Sequence, residues 1–581
     1  MTDLSTQLSD IVGKEFAALG LDAALGAVKR SDRPDLGDFQ CNGALAAAKQ
    51  RGENPRALAE QIVAKLSVNK MFSKVDIAGP GFINLVLTPE VLSAQANTLA
   101  VDKRAGVVLP AKRKIMVEYI GLNMAKPMHV GHLRSTIIGD SIQRIVRFLG
   151  HDTVTDIHFG DWGLQIGLLL IALEDEQPSL PYFRADYNDT MNQPTSPVTM
   201  ADLERMYPAA AARIKDDEVY RERARIATME LQKGRAGYLA LHKHFWAVSR
   251  VSIERELGAL GVHPDLWKGE SDVNYLIDEI VADFTKRGIA VEDDGAIVVH
   301  VKRNTDKAEI PPLLLVSSAD SAMYGTTDVA TILERQREIK ADLYIYVVDQ
   351  RQALHFTQVF RTCVKAGYGT DEQFEHVGFG TMNGPDGKPF KTRAGGLISL
   401  HDLITTCREK ARARMQEAGL EGDDETALMI GTAALKFADL SNQRMTNYIF
   451  DFDRFTSFEG KTGPYLQYQG VRIKSILRKA VDQNITDGPI TLALPEERAL
   501  ALMLDAFNSA VHLAFEKRAP NFVADHVYNL AQAFSSFYAA APILPEKDEA
   551  VRASRLRLAK TALNQLEIGL DLLGIKIPEK M

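Results

Sequence analysis

Apolar positions along the chain change their spacing twice, which divides the sequence into three parts. From residue 1 to about 108 the pattern is mixed. Apolar residues across 42–66 suggest a helical stretch interrupted between Gly52 and Pro55. Ala78-Gly79-Pro80-Gly81 reads as a tight turn before a strand-like run, 82–87. From about 109 to 455, strand-like and helix-like segments alternate. Residues 115–120, 154–157 and 344–348 read as strands. Residues 133–149 read as a helix, because Ile138, Ile142, Ile145 and Leu149 recur at spacings of 4, 3 and 4, with Gly150 ending it. Such alternation predicts a parallel sheet with helices on its faces. Residues 174 to about 272 are polar and helix-rich and read as an insertion into that domain. From about 456 the pattern is helical throughout. Leu556, Ala559, Leu563, Leu566, Leu570 and Leu573 repeat at helical spacing until Gly574 and Pro578 close the run.

The expected fold is therefore multidomain α/β: a small α+β domain over 1–108, a doubly wound, Rossmann-type parallel-sheet domain over 109–455 with a helical insertion near 174–272, and an all-α bundle over 456–581. A length of 581 residues suits several domains. With 46% hydrophobic and 25% charged residues, wholesale disorder is excluded. No run reaches the ~18 apolar residues of a membrane span, and the first residues lack the basic and apolar regions of a secretory signal. Cys41, Cys363 and Cys407 lie far apart, which excludes a disulfide framework and any Cys-x-x-Cys metal site. A reducing cytoplasm is the expected compartment. The net charge of −8 first weighs against a nucleic-acid partner. Its distribution removes that objection. Residues 451–581 hold 16 basic and 16 acidic residues, and the whole acidic excess, 52 against 60, lies outside them. A local basic surface is compatible with such a chain.

The strongest candidate chemistry is Asn123-Met-Ala-Lys126-Pro-Met-His129-Val-Gly131-His132-Leu-Arg-Ser135, which follows a predicted strand and opens a predicted helix. In a doubly wound sheet this junction lies where ligands bind. A helix start offers unpaired N–H groups and a positive dipole end, both suited to phosphate. His129 and His132 can donate hydrogen bonds to phosphate oxygens as charge develops, and Lys126 reaches the same anion. Gly131 leaves room for a base or ribose over the backbone. No third ligand accompanies the two histidines, so zinc is not expected.

His129-Val-Gly-His132 resembles the HIGH signature of class I aminoacyl-tRNA synthetases, and the longer stretch is similar to that of the arginyl-tRNA synthetases. Gly160-Asp-Trp-Gly163, Tyr324-Gly-Thr-Thr-Asp328 and Asp349–Phe356 resemble further segments of the same family. Lys388-Pro-Phe-Lys391-Thr-Arg393 resembles a KMSKS loop without its Met-Ser, and Gly463-Pro-Tyr465-Leu-Gln-Tyr468 resembles the helical C-terminal domain.

The resemblance implies ATP accompanied by Mg2+, L-arginine and an arginine tRNA as substrates, no structural metal, no membrane, and a need for tRNA in arginine activation. A monomer is expected. It implies His129, Gly131 and His132 at the ATP, and Lys126, Lys388 and Lys391 at the pyrophosphate, with the catalytic lysine of the loop left open. Glu118, Tyr324 and Asp328 would hold the guanidinium, and Asn123 and Gln352 the α-amino and carboxylate end. Trp162 is expected in the core, and His355 lines the pocket or satisfies a strand end. Phe82 and Asn84 in the first domain, and Tyr465, Tyr468, Arg552 and Arg555 in the last, are the expected tRNA contacts. The alternatives are another HIGH-type synthetase and an inactive tRNA-binding paralogue.

Overall fold

The computed structural model describes residues 3–317, 324–384, 387–388, 398–420 and 422–581. Lys391 and Arg393 of the expected KMSKS-like loop lie outside them. Two compact units are resolved: Ala111–Ala418 with Asp423–Thr456, and Met1–Pro110 with Gly419–Gly422 and Ser457–Met581.

The first of these is built on a parallel sheet. Its strands run in the order Phe374–His376, Leu343–Val347, Lys114–Tyr119, Asp152–Gly160 and Leu122–Asn123, with Leu266–Gly269 also pairing Asp152–Gly160. Every pairing is parallel, and the central strands Lys114–Tyr119 and Leu343–Val347 are almost wholly buried, as expected where helices cover both faces. The helix Val130–Phe148 carries the chain from Lys114–Tyr119 to Asp152–Gly160, while Leu343–Val347 flanks the opposite edge of Lys114–Tyr119. The crevice at these carboxyl ends is the switch point at which doubly wound sheets bind ligands. Helices Leu164–Glu176, Met200–Arg213, Glu218–Gln232 and Ala236–Ala259 form the insertion around a separate apolar core that includes Trp162, Ile166, Leu203 and Phe245. Leu266–Gly269, which the sequence pattern assigns to the insertion, belongs to the sheet instead.

In the other unit an antiparallel sheet, ordered Val28–Arg30, Phe39–Cys41, Phe82–Leu87 and Phe72–Ala78, packs with helices of the first hundred residues. Five helices of eleven residues or more follow from Gly463 to Leu572. These two halves share polar contacts that local sequence patterns do not reveal. Asp505 accepts from the Leu4 N–H at 3.1 Å and from Gln95 at 2.7 Å, across 501 residues of chain in the first case. Asn508 donates to Asp3 at 2.6 Å, and Leu502 joins the apolar core of the N-terminal half.

Candidate active site

The strand–turn–helix around the histidine signature is strained and braced. Ile120 and Ala125 both adopt positive φ, 68° and 65°, which is costly for residues with a Cβ, most of all a β-branched one. Ser135 holds the first. Its hydroxyl accepts from the Ile120 N–H at 2.9 Å and donates to the Val347 carbonyl at 2.7 Å, tying two strand ends to the signature helix. Ser249 holds the second by accepting from the Ala125 N–H at 3.1 Å. Gly139 lets the helix lie against Tyr119, because a Cβ there would come within 2.3 Å of that side chain. Arg134, 2% exposed, anchors the helix by donating to Asp439 at 2.9 Å and to the Thr446 carbonyl at 3.1 Å.

His129 caps this helix and His132 occupies its third position, with the two rings stacked 3.8 Å apart. His129 Nδ1 accepts from the Gly131 N–H at 3.0 Å, and His132 Nδ1 accepts from the His129 N–H at 3.2 Å. Both Nδ1 atoms are acceptors, so each neutral ring carries its proton on Nε2 and has that N–H left to donate. Burial, with His129 and Lys126 nearby, pulls the pKa of His132 down to about 3; burial lowers that of His129 as well. The pair is thus neutral at pH 7. Gly131 has a reason beyond leaving room for a nucleotide: a Cβ there would lie 2.8 Å from the His129 ring. Lys126 sits with its ammonium 4.6 Å from the Tyr207 ring centre. Lys388 is exposed, beside a turn in which the Gly384 N–H donates to the Lys388 carbonyl at 2.7 Å and Gly387 takes φ 73°.

A cage of carboxylates faces the same crevice. Tyr324 and Asp328 open the helix Tyr324–Glu338. His355 hydrogen-bonds Asp328 at 2.5 Å and lies with its ring 4.7 Å from that of Tyr324, so it lines the pocket. The Asp328 charge, then burial, then Glu118 and Glu270 push the Tyr324 hydroxyl far above its usual range. Glu270 is the residue that sequence reasoning missed. It follows the strand Leu266–Gly269 directly, at the same sheet edge as the other candidates. Burial, then the charges of Asp328 and Asp161, raise its pKa to about 8, partly offset by a hydrogen bond from the Trp162 N–H. The Gly160–Gly163 segment explains this placement. Asp161 is fully buried and accepts from the Ser271 N–H at 2.9 Å and the Ser271 hydroxyl at 2.7 Å, which fixes the turn carrying Glu270.

The remaining expected residues occupy different settings. Glu118 reaches the cage but is already bound. Arg335, 3% exposed, forms an ion pair with it and a second with Asp156 at 2.6 Å. Glu118, Asp156 and His158 place ligand atoms within 4.8 Å of one another, but this guanidinium already occupies the position a cation would take between the carboxylates. Asn123 is exposed at the end of its strand beside Gly160, and Gln352 is exposed in the turn after Leu343–Val347. Asn84 is 2% exposed and accepts from Gln40 at 2.9 Å, so its amide is spent inside the sheet. Arg555 is 9% exposed and paired with Glu497 and Glu546, each at 2.8 Å. Both side chains are buried and hydrogen-bonded within the protein. Phe82 is partly exposed and Tyr468 40% exposed. Tyr465 accepts from Gln532 at 2.9 Å beside the Tyr528 ring, and Arg552 donates to the Glu546 carbonyl at 2.9 Å.

Three family models cover most of the chain: the catalytic domain of class I tRNA synthetases (R) at residues 95–452, the DALR anticodon binding domain at 466–581, and the arginyl tRNA synthetase N terminal domain at 2–87. An arginine–tRNA ligase of Maricaulis maris is 51% identical over 590 residues, and one of Hyphomonas neptunium 50% over 591, each covering all of both chains. The fold matches the crystal structure of arginyl-tRNA synthetase from Plasmodium falciparum with a TM-score of 0.81 at 23% identity. It matches that of Thermus thermophilus with 0.79 at 25%, again over all of both chains. Together with the signature helix and the acidic cage, these matches establish that the chain belongs to the class I arginyl-tRNA synthetases.

Proposed function

We propose that the cage of Glu270, Asp328 and Tyr324 holds the guanidinium of L-arginine while the His129–His132 helix start holds ATP. The observation that carries this reading is the gathering of Glu270, Asp328 and Glu118 around Tyr324, where burial and the charges of Asp328 and Asp161 raise the Glu270 pKa and, among the described residues, the buried guanidinium of Arg335 is already paired with Glu118 and Asp156. A guanidinium is a planar fork of five donors, which separate carboxylates read with geometric specificity. Glu118 contributes its charge, with Arg335 holding one of its oxygens. Asn123, ending the strand Leu122–Asn123, and Gln352, in the turn after Leu343–Val347, stand at the carboxyl end of the same sheet to take the α-amino and carboxylate groups.

In the first step an arginine carboxylate oxygen bonds to the α-phosphorus and the bond to the bridging oxygen breaks, releasing pyrophosphate. In the second, a ribose hydroxyl at the tRNA 3′ end attacks the adenylate carbonyl and AMP departs. Neither step uses a protein nucleophile, so positioning and charge stabilisation account for catalysis. The Nε2–H groups of His129 and His132 donate to phosphoryl oxygens as negative charge grows, and their neutrality keeps them donors across physiological pH. Lys126, Lys388 and Lys391 balance the departing pyrophosphate, and Mg2+ enters with ATP as part of the substrate. Phe82, Tyr465, Tyr468 and Arg552 are the proposed tRNA contacts, with aromatic rings stacking on unpaired bases. The domain assignments 1–108, 109–455 and 456–581 belong to the same proposal, as tRNA-contacting, catalytic and anticodon-binding parts.

The test is amino-acid-dependent ATP–pyrophosphate exchange with tRNA present. Exchange with arginine and not with lysine, citrulline or methionine supports the cage. Equal exchange with citrulline, which keeps the shape but lacks the charge, contradicts it.

A further inference from the structure

A second cavity, of about 760 Å3, lies outside the arginine cage. Its walls come from the helices Met200–Arg213 and Ala236–Ala259, from Pro127 just before the signature histidines, and from Ser399 and the first turn of Leu400–Glu417. Met200, Ala201, Ala247 and Val248 make one side apolar. Among the described lining residues, Glu204, Glu256 and Asp402 supply three carboxylates, Arg255 the one guanidinium and His401 an imidazole.

Glu256 is the anomaly. It is 5% exposed, and its Oε2 has no hydrogen-bond partner among the described residues. Buried carboxylates without partners are costly and rare in folded proteins. Burial, then the charges of Glu204 and Asp402, push its pKa up to about 7 despite Arg255. Nothing in the activation of arginine uses this group. Among the described lining residues, three carboxylates against one guanidinium, an unpartnered buried acid and an apolar side formed by Met200, Ala201, Ala247 and Val248 describe a receptor for an aliphatic dication.

We propose that this cavity binds a linear aliphatic diammonium ion, with one ammonium at Glu256, the other at Glu204 or Asp402, and the methylenes against Met200 and Val248. The site adjoins the signature. Ser399 forms a bridge with His129, and the Leu400 N–H donates to the Met128 carbonyl at 2.9 Å.

Titration calorimetry of the full chain with 1,4-diaminobutane tests the proposal. Saturating L-arginine is present to fill the acidic cage, and ionic strength is held constant. Saturable one-to-one binding is expected, with 1,4-butanediol and potassium ion giving none. Glu256→Gln and, separately, the double variant Glu204→Gln/Asp402→Asn should weaken it at least ten-fold, and Glu270→Gln should leave it unchanged. Ionisation of Glu256 should strengthen it about ten-fold from pH 6 to pH 8. No saturable heat at millimolar diamine, equal binding of butanediol or potassium ion, or binding unaffected by Glu256→Gln in a chain that keeps its wild-type circular dichroism, would overturn it. Loss of binding in Glu270→Gln alone would assign the diamine to the arginine cage and equally refute a second site.

Discussion

Glu270→Gln isolates the charge of the cage while keeping its shape. In the empty pocket the Glu270 carboxyl titrates near pH 8, because burial and the neighbouring Asp328 and Asp161 oppose its ionisation. A bound guanidinium favours the carboxylate. Arginine therefore binds more tightly as pH rises through about 8, and binding weakens towards ten-fold per unit below it. About one molecule in eleven carries the carboxylate at pH 7 and about three in four at pH 8.5, so the Michaelis constant for arginine should fall about eight-fold across that interval. Breaking a buried ion pair costs roughly 3–5 kcal/mol. At pH 7 the wild type spends about 1.4 kcal/mol on deprotonation, which the glutamine avoids. The net loss is then about 1.6–3.6 kcal/mol, or a Michaelis constant for arginine raised about 15- to 450-fold. The assay is pyrophosphate exchange with tRNA at several pH values for both proteins. A wild-type constant that is flat from pH 7 to 8.5, together with a variant within three-fold of wild type, would refute the role of Glu270.

Further outcomes follow from the same geometry. His132→Ala should lower the exchange rate about 10²–10³-fold, as loss of one donor to developing charge does, with the Michaelis constant for arginine nearly unchanged. Because His132 titrates near pH 3, the wild-type rate should show no step from this group between pH 6 and 8. Arg335→Met strands Glu118 and Asp156 in the interior and should destabilise the catalytic unit by roughly 3–5 kcal/mol, read from chemical denaturation. Asp505→Ala leaves the Leu4 N–H and the Gln95 amide without their acceptor and should cost about 1–3 kcal/mol, seen as a lowered midpoint for the unit containing both chain termini. Tyr468→Ala should raise the Michaelis constant for tRNA by the equivalent of about 1–3 kcal/mol without altering that for arginine.

The central strands and the signature helix were legible because their patterns are local. Lys114–Tyr119 and Leu343–Val347 are apolar runs between turn signals, and Val130–Phe148 carries a helical stripe ended by Gly150 at φ 82°. Leu266–Gly269 was not, because four residues including a lysine, set after long polar helices, carry no periodicity of their own. Glu270 was lost with it. The signal was present in Asp161, an acid inside an apolar stretch, whose buried carboxylate needs donors and finds them in the turn holding Glu270. Arg335 reads as a surface residue within Glu334-Arg-Gln-Arg337, and only the fold brings it to Glu118. The union of the first hundred residues with the last helices rests on contacts such as Leu4–Asp505, which no window along the chain can detect. Arg555 shows the converse. A basic run invites an RNA contact, yet Arg555 faces Glu497 and Glu546 in the interior.

Proton release on arginine binding tests the central claim most directly. Calorimetric titration of L-arginine into the protein with tRNA, in buffers of different ionisation enthalpy at pH 7, counts the protons displaced. A guanidinium seated on Glu270 should release about 0.9 proton per arginine in the wild type and close to none in Glu270→Gln. Arginine binding without proton release at pH 7, or with the same release in both proteins, would contradict the assignment of the cage.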